Sequence, residues 1–252
     1  MRRLVLYVLA VLLWSTASIA AAERAADFSD DQLIDGFERT VFGSEGGGSR
    51  ADKLRVKKYA GPVKLFVVNA SSTNRERALN DFVKLVNKSV RNLTIRRVKS
   101  DKSANMVVFL VDRGNYRSII RDTLPPNYDT RFLQSNDCSA IVAASNYKIE
   151  LAFVYIVANE TARAFNHCLV EEILQSLGPV NDDWRLKYSI FNDYSGVDTF
   201  GVFDWYILNM LYDKRVRPGM SRAETRKMLP AIIADTRKRL VQLQQRGGAK
   251  KR

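Results

Sequence analysis

Histidine is almost absent from this chain. His167 is the single one in 252 residues, and only two cysteines, Cys138 and Cys168, accompany it. A structural Cys/His zinc site needs four such ligands, so none can be assembled from these three residues. The Gly-x-Ser-x-Gly elbow is missing as well, and with one His the familiar Ser and Cys hydrolase chemistries are disfavoured. Long apolar runs are lacking beyond the extreme N-terminus, which excludes a multi-pass membrane protein. There is no internal repeat. What remains is an ordinary globular balance, with 46% apolar and 27% charged residues, 13 Gly and 6 Pro. A chain of 252 residues can bury about 70% of its unfolded surface in one core, so a single domain is expected.

Acidic residues are the scarcer charge, 27 against 40 Lys and Arg, giving a formal net charge of +13. The excess is uneven. Arg2 and Arg3 open the chain, and Arg237, Lys238, Arg239, Arg246, Lys250, Lys251 and Arg252 follow Thr236 with no acidic residue among them. The body between is nearly balanced, so no nucleic-acid partner is expected. The tail reads as a solvated helix end, with contact to anionic surfaces as the competing reading.

Residues 1–22 carry a positive start, an apolar run of 11 from Leu4 to Trp14, and the small residues Ala20-Ala21-Ala22. This is the pattern of a Sec signal peptide, too short to anchor in a membrane after cleavage. The mature protein is therefore expected to be periplasmic or secreted. In an oxidising compartment Cys138 and Cys168 read as a disulfide, against the alternative of two buried thiols.

Ser29 caps a predicted helix over Asp30 to Phe42, and Gly46-Gly47-Gly48-Ser49 follows as a flexible loop, so 23–60 reads as a helix and Gly-rich loop. Strands are expected at Val63 to Val68, Leu93 to Val98 and Met106 to Val111, with a helix over Thr73 to Asn87. Gly114 to Leu133 is less regular, because Pro125-Pro126 bars a helix through its middle. Cys138 to Ala144 and Ile149 to Val157 form a hairpin or edge pair. Helices are predicted over Thr161 to Leu177, Phe200 to Tyr212 and Ser221 to Gln245, the last kinked or divided at Pro230. The fold class is α+β, a twisted mixed sheet packed by helices, spanning 61–245, with 246–252 as a basic disordered tail.

On the helix over 161–177, Glu171 and Gln175 share a face with His167 one turn earlier, and Glu172 lies about 100° around. Spacing of this kind is also common on solvated helices. His167 can pair with Glu171 across four residues, either as a metal ligand that needs a further strong partner or as a hydrogen-bonded, partly buried His. Asp182, Asp183, Asn192, Asp193 and Asp198 suit caps and turns. Trp184, Phe191, Tyr194, Phe203, Trp205 and Tyr206 are expected in core and cleft wall.

Glu171-Glu172-x-x-Gln175-x-x-Gly178-x-x-Asn181-Asp182 resembles the metzincin zinc signature, H-E-x-x-H-x-x-G-x-x-H, in its spacing. Tyr188-Ser189-Ile190-Phe191-Asn192-Asp193 resembles the Met-turn of those enzymes, with Phe191 in the Met position. Asp204 and Leu211-Tyr212 are similar to the Asp and Leu-Tyr of the next helix. Cys168-x-x-Glu171-Glu172, Ser189-Ile190-Phe191-Asn192-Asp193 and Leu211-Tyr212-Asp213…Pro218-Gly219-Met220 resemble a family of exported bacterial proteins of unknown function. The resemblance covers Val63 to Met220. It implies a zincin-like fold, with a motif helix followed by a Met-turn-like loop and C-terminal helices. Glu172 then stands where the general base stands, and Asp193 lies in the loop beneath the site.

The departures fall on the zinc ligands. Glu171 and Gln175 replace imidazoles, and Asn181 or Asp182 takes the third place, so no zinc is expected. Glu171, Gln175 and Asp182 then form a hydrogen-bonded network or an all-oxygen site for Ca²⁺, Mg²⁺ or Mn²⁺. The expected shaping residues are His167, Gly178, Asn181, Phe191, Asn192 and Asp193. The resemblance implies a non-zinc peptidase relative that binds a peptide or envelope partner in its cleft, with no resident cofactor. The alternatives are a hydrolase using an atypical metal or Glu172 as base, and an envelope interaction module.

Overall fold

The computed structural model describes residues 28–43, 54–126, 128 and 137–249, with side chains to 245. The expected signal peptide, the Gly-rich loop and the last three residues lie outside the described residues.

Helix α1 (Asp30–Val41) starts at Ser29, whose hydroxyl accepts from Gln32 N while Gln32 reaches back to the cap, and it buries Leu33, Ile34, Phe37 and Val41. Strand β1 (Val63–Ala70) leads through α2 (Glu76–Ser89) to the short β2 (Ile95–Arg97) and then β3 (Met106–Val111). All six residues of β3 are buried, as expected of a strand covered on both faces. A helix unforeseen in the sequence, α3 (Tyr116–Thr123), occupies the start of the irregular stretch and ends just before Pro125-Pro126. Strands β4 (Cys138–Ser145) and β5 (Lys148–Val157) form the expected hairpin, turning at Asn146 and Tyr147, with φ of 47° and 62°.

These strands make one five-stranded sheet in the order β2-β1-β3-β5-β4. The neighbours β2, β1, β3 and β5 run parallel, and β4 is antiparallel to β5 at the edge. Alternation splits the core. Leu65, Met106, Val108, Leu110, Val154 and Ile156 face the larger cluster, and Val107, Phe109, Tyr155 and Val157 face a smaller one built with α3.

The larger layer holds α4 (Ala162–Gln175), α5 (Val202–Leu211) and α7 (Leu229–Ala249), with the short α6 (Arg222–Arg226) before the last of these. The expected division of the C-terminal helix falls at Lys227-Met228, and Pro230 sits in the first turn of α7, where its missing N–H costs little. Helix α7 continues to Ala249, into the span read as a tail. No helix among the described residues is long and apolar enough to cross a membrane.

Two devices fix α4 against the sheet. The Cys138–Cys168 disulfide ties its middle to the start of β4, with Cα atoms 5.7 Å apart. At its end the chain turns at Gly178 (φ +129°), packed against the backbone carbonyl of Lys57. The neighbouring Lys58 ammonium donates to Leu211 O at 2.5 Å and Val216 O at 3.0 Å, and burial pushes its pKa down to about 8.

Candidate functional site

Helix α4 starts at Thr161, whose hydroxyl accepts from Ala164 N, and carries three polar side chains into the interior. Glu171, Glu172 and Gln175 are 6%, 5% and 7% exposed, so the solvated reading of this spacing fails. Buried polar groups need partners. Glu171 Oε2 lies 3.1 Å from His167 Nε2, and His167 Nδ1 lies 3.2 Å from Val197 O. Burial raises the Glu171 pKa to about 7, with the His167 contact opposing it and the charges of Asp182 and Asp193 adding to it. The hydrogen bond to Glu171 raises the His167 pKa, against its own desolvation.

Gln175 Nε2 donates to Asp182 Oδ1 at 2.9 Å. Asn181 turns towards α1, its amide donating to Arg39 O at 2.8 Å and Asp182 O at 2.9 Å. Gly43 (φ +141°) makes that approach possible, since a Cβ there would stand 2.6 Å from the Asn181 side chain. Zinc in the metzincin register does not fit these residues. Gln175 is a poor neutral ligand already bonded to Asp182, and the Asn181 amide is spent on backbone carbonyls.

Glu172 lies towards the start of β4. One of its carboxylate oxygens lies within 4.8 Å of a Glu171 oxygen and of Cys138 Sγ, a sulfur committed to the disulfide. On the face of the sheet covered by α3, Tyr116 Oη and Ser139 Oγ share a buried hydrogen bond of 2.9 Å. Burial drives the Tyr116 pKa well above its ordinary value, and the Glu172 charge adds to the shift. Nothing in the sequence marked Tyr116 or Ser139, because they meet each other only through the packing of α3 against β4.

The loop after α4 rests on α5. Asp204, fully buried, accepts from Ser189 Oγ at 2.6 Å and Ile190 N at 3.2 Å, and burial pushes its pKa to about 7 against those two bonds. Phe191 is fully buried. Asn192 donates to Trp184 O at 3.0 Å and Leu186 O at 3.1 Å, while its Oδ1 accepts from Tyr194 N at 2.9 Å. Tyr212 Oη closes the floor with a bond to Leu177 O at 2.8 Å. This loop delivers Asp193 to α4, where ligand atoms of His167, Glu171 and Asp193 all lie within 4.8 Å of one another.

Of the six aromatics read as core or cleft wall, Phe191, Phe203, Trp205 and Tyr206 are buried. Trp184 and Tyr194 are not, at 72% and 87% exposed, and Tyr188 joins them at 56%. Turn chemistry around Asn192 points these rings outward, which residue hydrophobicity alone does not reveal.

The site therefore combines a buried carboxylate pair, one histidine and a loop aspartate beneath a sheet edge. No curated protein matches the sequence. The family described as "Protein of unknown function (DUF2927)" matches residues 30–231, from α1 to the start of α7, and includes every residue of the site. The chain belongs to that family, DUF2927.

Proposed function

We propose that this is an exported, zincin-like protein without zinc-peptidase chemistry, which binds an extended peptide segment of an envelope protein along β4. The observation that carries the reading is the state of the two helix positions where a metzincin holds imidazoles. Glu171 is engaged by His167 and Gln175 by Asp182. Both are buried, and Gln175 supplies no strong zinc ligand.

The surrounding layout supports the same reading. Among the described residues β4 ends the sheet, antiparallel to its neighbour, and its burial falls away towards Ser145. Such an edge offers main-chain donors and acceptors to an added strand. It lies beside Glu172 and is fixed to α4 by the disulfide. A disulfide also suits a protein that works outside the cytoplasm.

The test is incubation of the untagged mature protein with a mixed peptide pool, with and without added zinc or manganese, followed by mass spectrometry. The expected result is retention of a subset of intact peptides and no new fragments under either condition. Fragments that wild type produces and Glu172→Gln does not would replace this reading with a hydrolase using Glu172 as its base.

A further inference from the structure

Among the described residues, the donor set of His167, Glu171 and Asp193 lies outside the metzincin register. His167 and Glu171 are one turn apart on α4, and Asp193 approaches from the loop held by Asp204. We propose that His167 Nε2 and the carboxylates of Glu171 and Asp193 bind one divalent first-row transition-metal ion.

Distance is the first argument. Ligands about 2.0 to 2.2 Å from a metal stand roughly 3 to 4.3 Å from one another, from right-angled to opposite positions. His167 Nε2 and Glu171 Oε2 are already 3.1 Å apart, and all three residues offer atoms within 4.8 Å. Closure onto a common ion requires only a small movement of Asp193, which is on the exposed surface of its loop.

The second argument is the orientation of the imidazole. Val197 O can only accept, so the 3.2 Å contact assigns the hydrogen to His167 Nδ1. Without metal a proton fills the 3.1 Å contact between Nε2 and Glu171 Oε2; a metal ion displaces that proton and takes the Nε2 lone pair. A backbone carbonyl that fixes the tautomer in this way is the usual outer partner of a metal-binding histidine.

Charge gives the third argument. Glu171 is buried among the like charges of Asp182 and Asp193, with one half-exposed imidazole against them. A dication between Glu171 and Asp193 removes that repulsion. One nitrogen with two carboxylates favours zinc, manganese or iron over calcium or magnesium, which prefer oxygen alone. With the exposed Asp193 at the rim, three protein ligands leave room for water in a further position. The all-oxygen set of Glu171, Gln175 and Asp182 read from the sequence is a weaker one, because Gln175 and Asp182 are bonded to each other.

The metal site stands independently of peptide binding at β4. Its test is calorimetric titration of zinc into the untagged mature protein after chelator dialysis, with circular dichroism as the check on folding. Wild type is expected to bind one zinc per chain. His167→Ala and Asp193→Asn should each weaken binding at least tenfold, the usual cost of losing an inner or outer partner of a metal. Asp182→Asn should change it less than threefold. Asp193 is exposed, so its variant stays informative if His167→Ala misfolds. Absence of stoichiometric zinc in wild type would overturn the proposal. So would equal affinity in all variants, or a loss confined to Asp182→Asn.

Discussion

Joint replacement of Cys138 and Cys168 by alanine is expected to lower the unfolding free energy by about 3.5 kcal/mol. The bridge closes a sequence separation of 30 residues, from the first residue of β4 to the middle of α4. In the chain-entropy model a loop of that length costs the unfolded state about 12 cal/mol/K, which gives the figure quoted at room temperature. The same bridge sets the spacing between Glu172 and the sheet edge, so the loss is local as well as global. Both sulfur-bearing residues are buried, and two small cavities add to the cost. Urea denaturation of the double variant beside wild type measures it. A difference under 0.5 kcal/mol would show that α4 and β4 are held by apolar packing alone.

A second large effect is expected at the far end of the same helix. Gly178→Ala should cost about 4 kcal/mol. The backbone there has φ +129°, and a Cβ would stand 2.4 Å from Lys57 O and 3.0 Å from Leu211 Cδ2. Strain at such a dihedral costs about 1 to 3 kcal/mol, and overpacking against backbone costs a similar amount. The displaced segment is a strap. Lys58 N donates to Tyr147 O and Lys58 O accepts from Ile149 N, while Val56 is paired with Gly219 and Met220. Pushing it outward disturbs the β5 start and the Lys58 ammonium together. Gly61→Ala and Gly114→Ala meet nothing within 4 Å and serve as controls, expected within 0.5 kcal/mol of wild type. A Gly178→Ala protein as stable as these controls would contradict the assignment of this turn.

The sheet and its helices were legible because apolar runs and periodicity are local signals. Val63 to Val68, Met106 to Val111 and the motif helix all lie within two residues of their expected bounds. Strand direction was not legible, since parallel pairing of β1 with β3 depends on contacts far apart in sequence. Helix α3 was missed because its eight residues lie so close to Pro125-Pro126 that the breaker dominated the reading. The divided C-terminal helix was signalled by Pro230, but the break comes earlier, where the Ser221–Glu224 capping box starts a separate short helix.

At the site, helical spacing brought Glu171, Glu172 and Gln175 to notice, and the family resemblance added the loop of Asp193 and the buried Asp204. The carbonyl of Val197 had no signal at all, because any residue carries one. Tyr116 and Ser139 were hidden for a related reason. They meet each other through tertiary packing, which no spacing rule encodes. The outward turn of Trp184 and Tyr194 was lost in the same way.

Binding along β4 is tested most directly by hydrogen exchange of the mature protein, alone and with a peptide retained from the pool. Strand addition predicts slowed exchange of the β4 amides between Cys138 and Ser145, with the peptide recovered intact. Unchanged exchange in β4 with protection elsewhere on the molecule would contradict the proposed function.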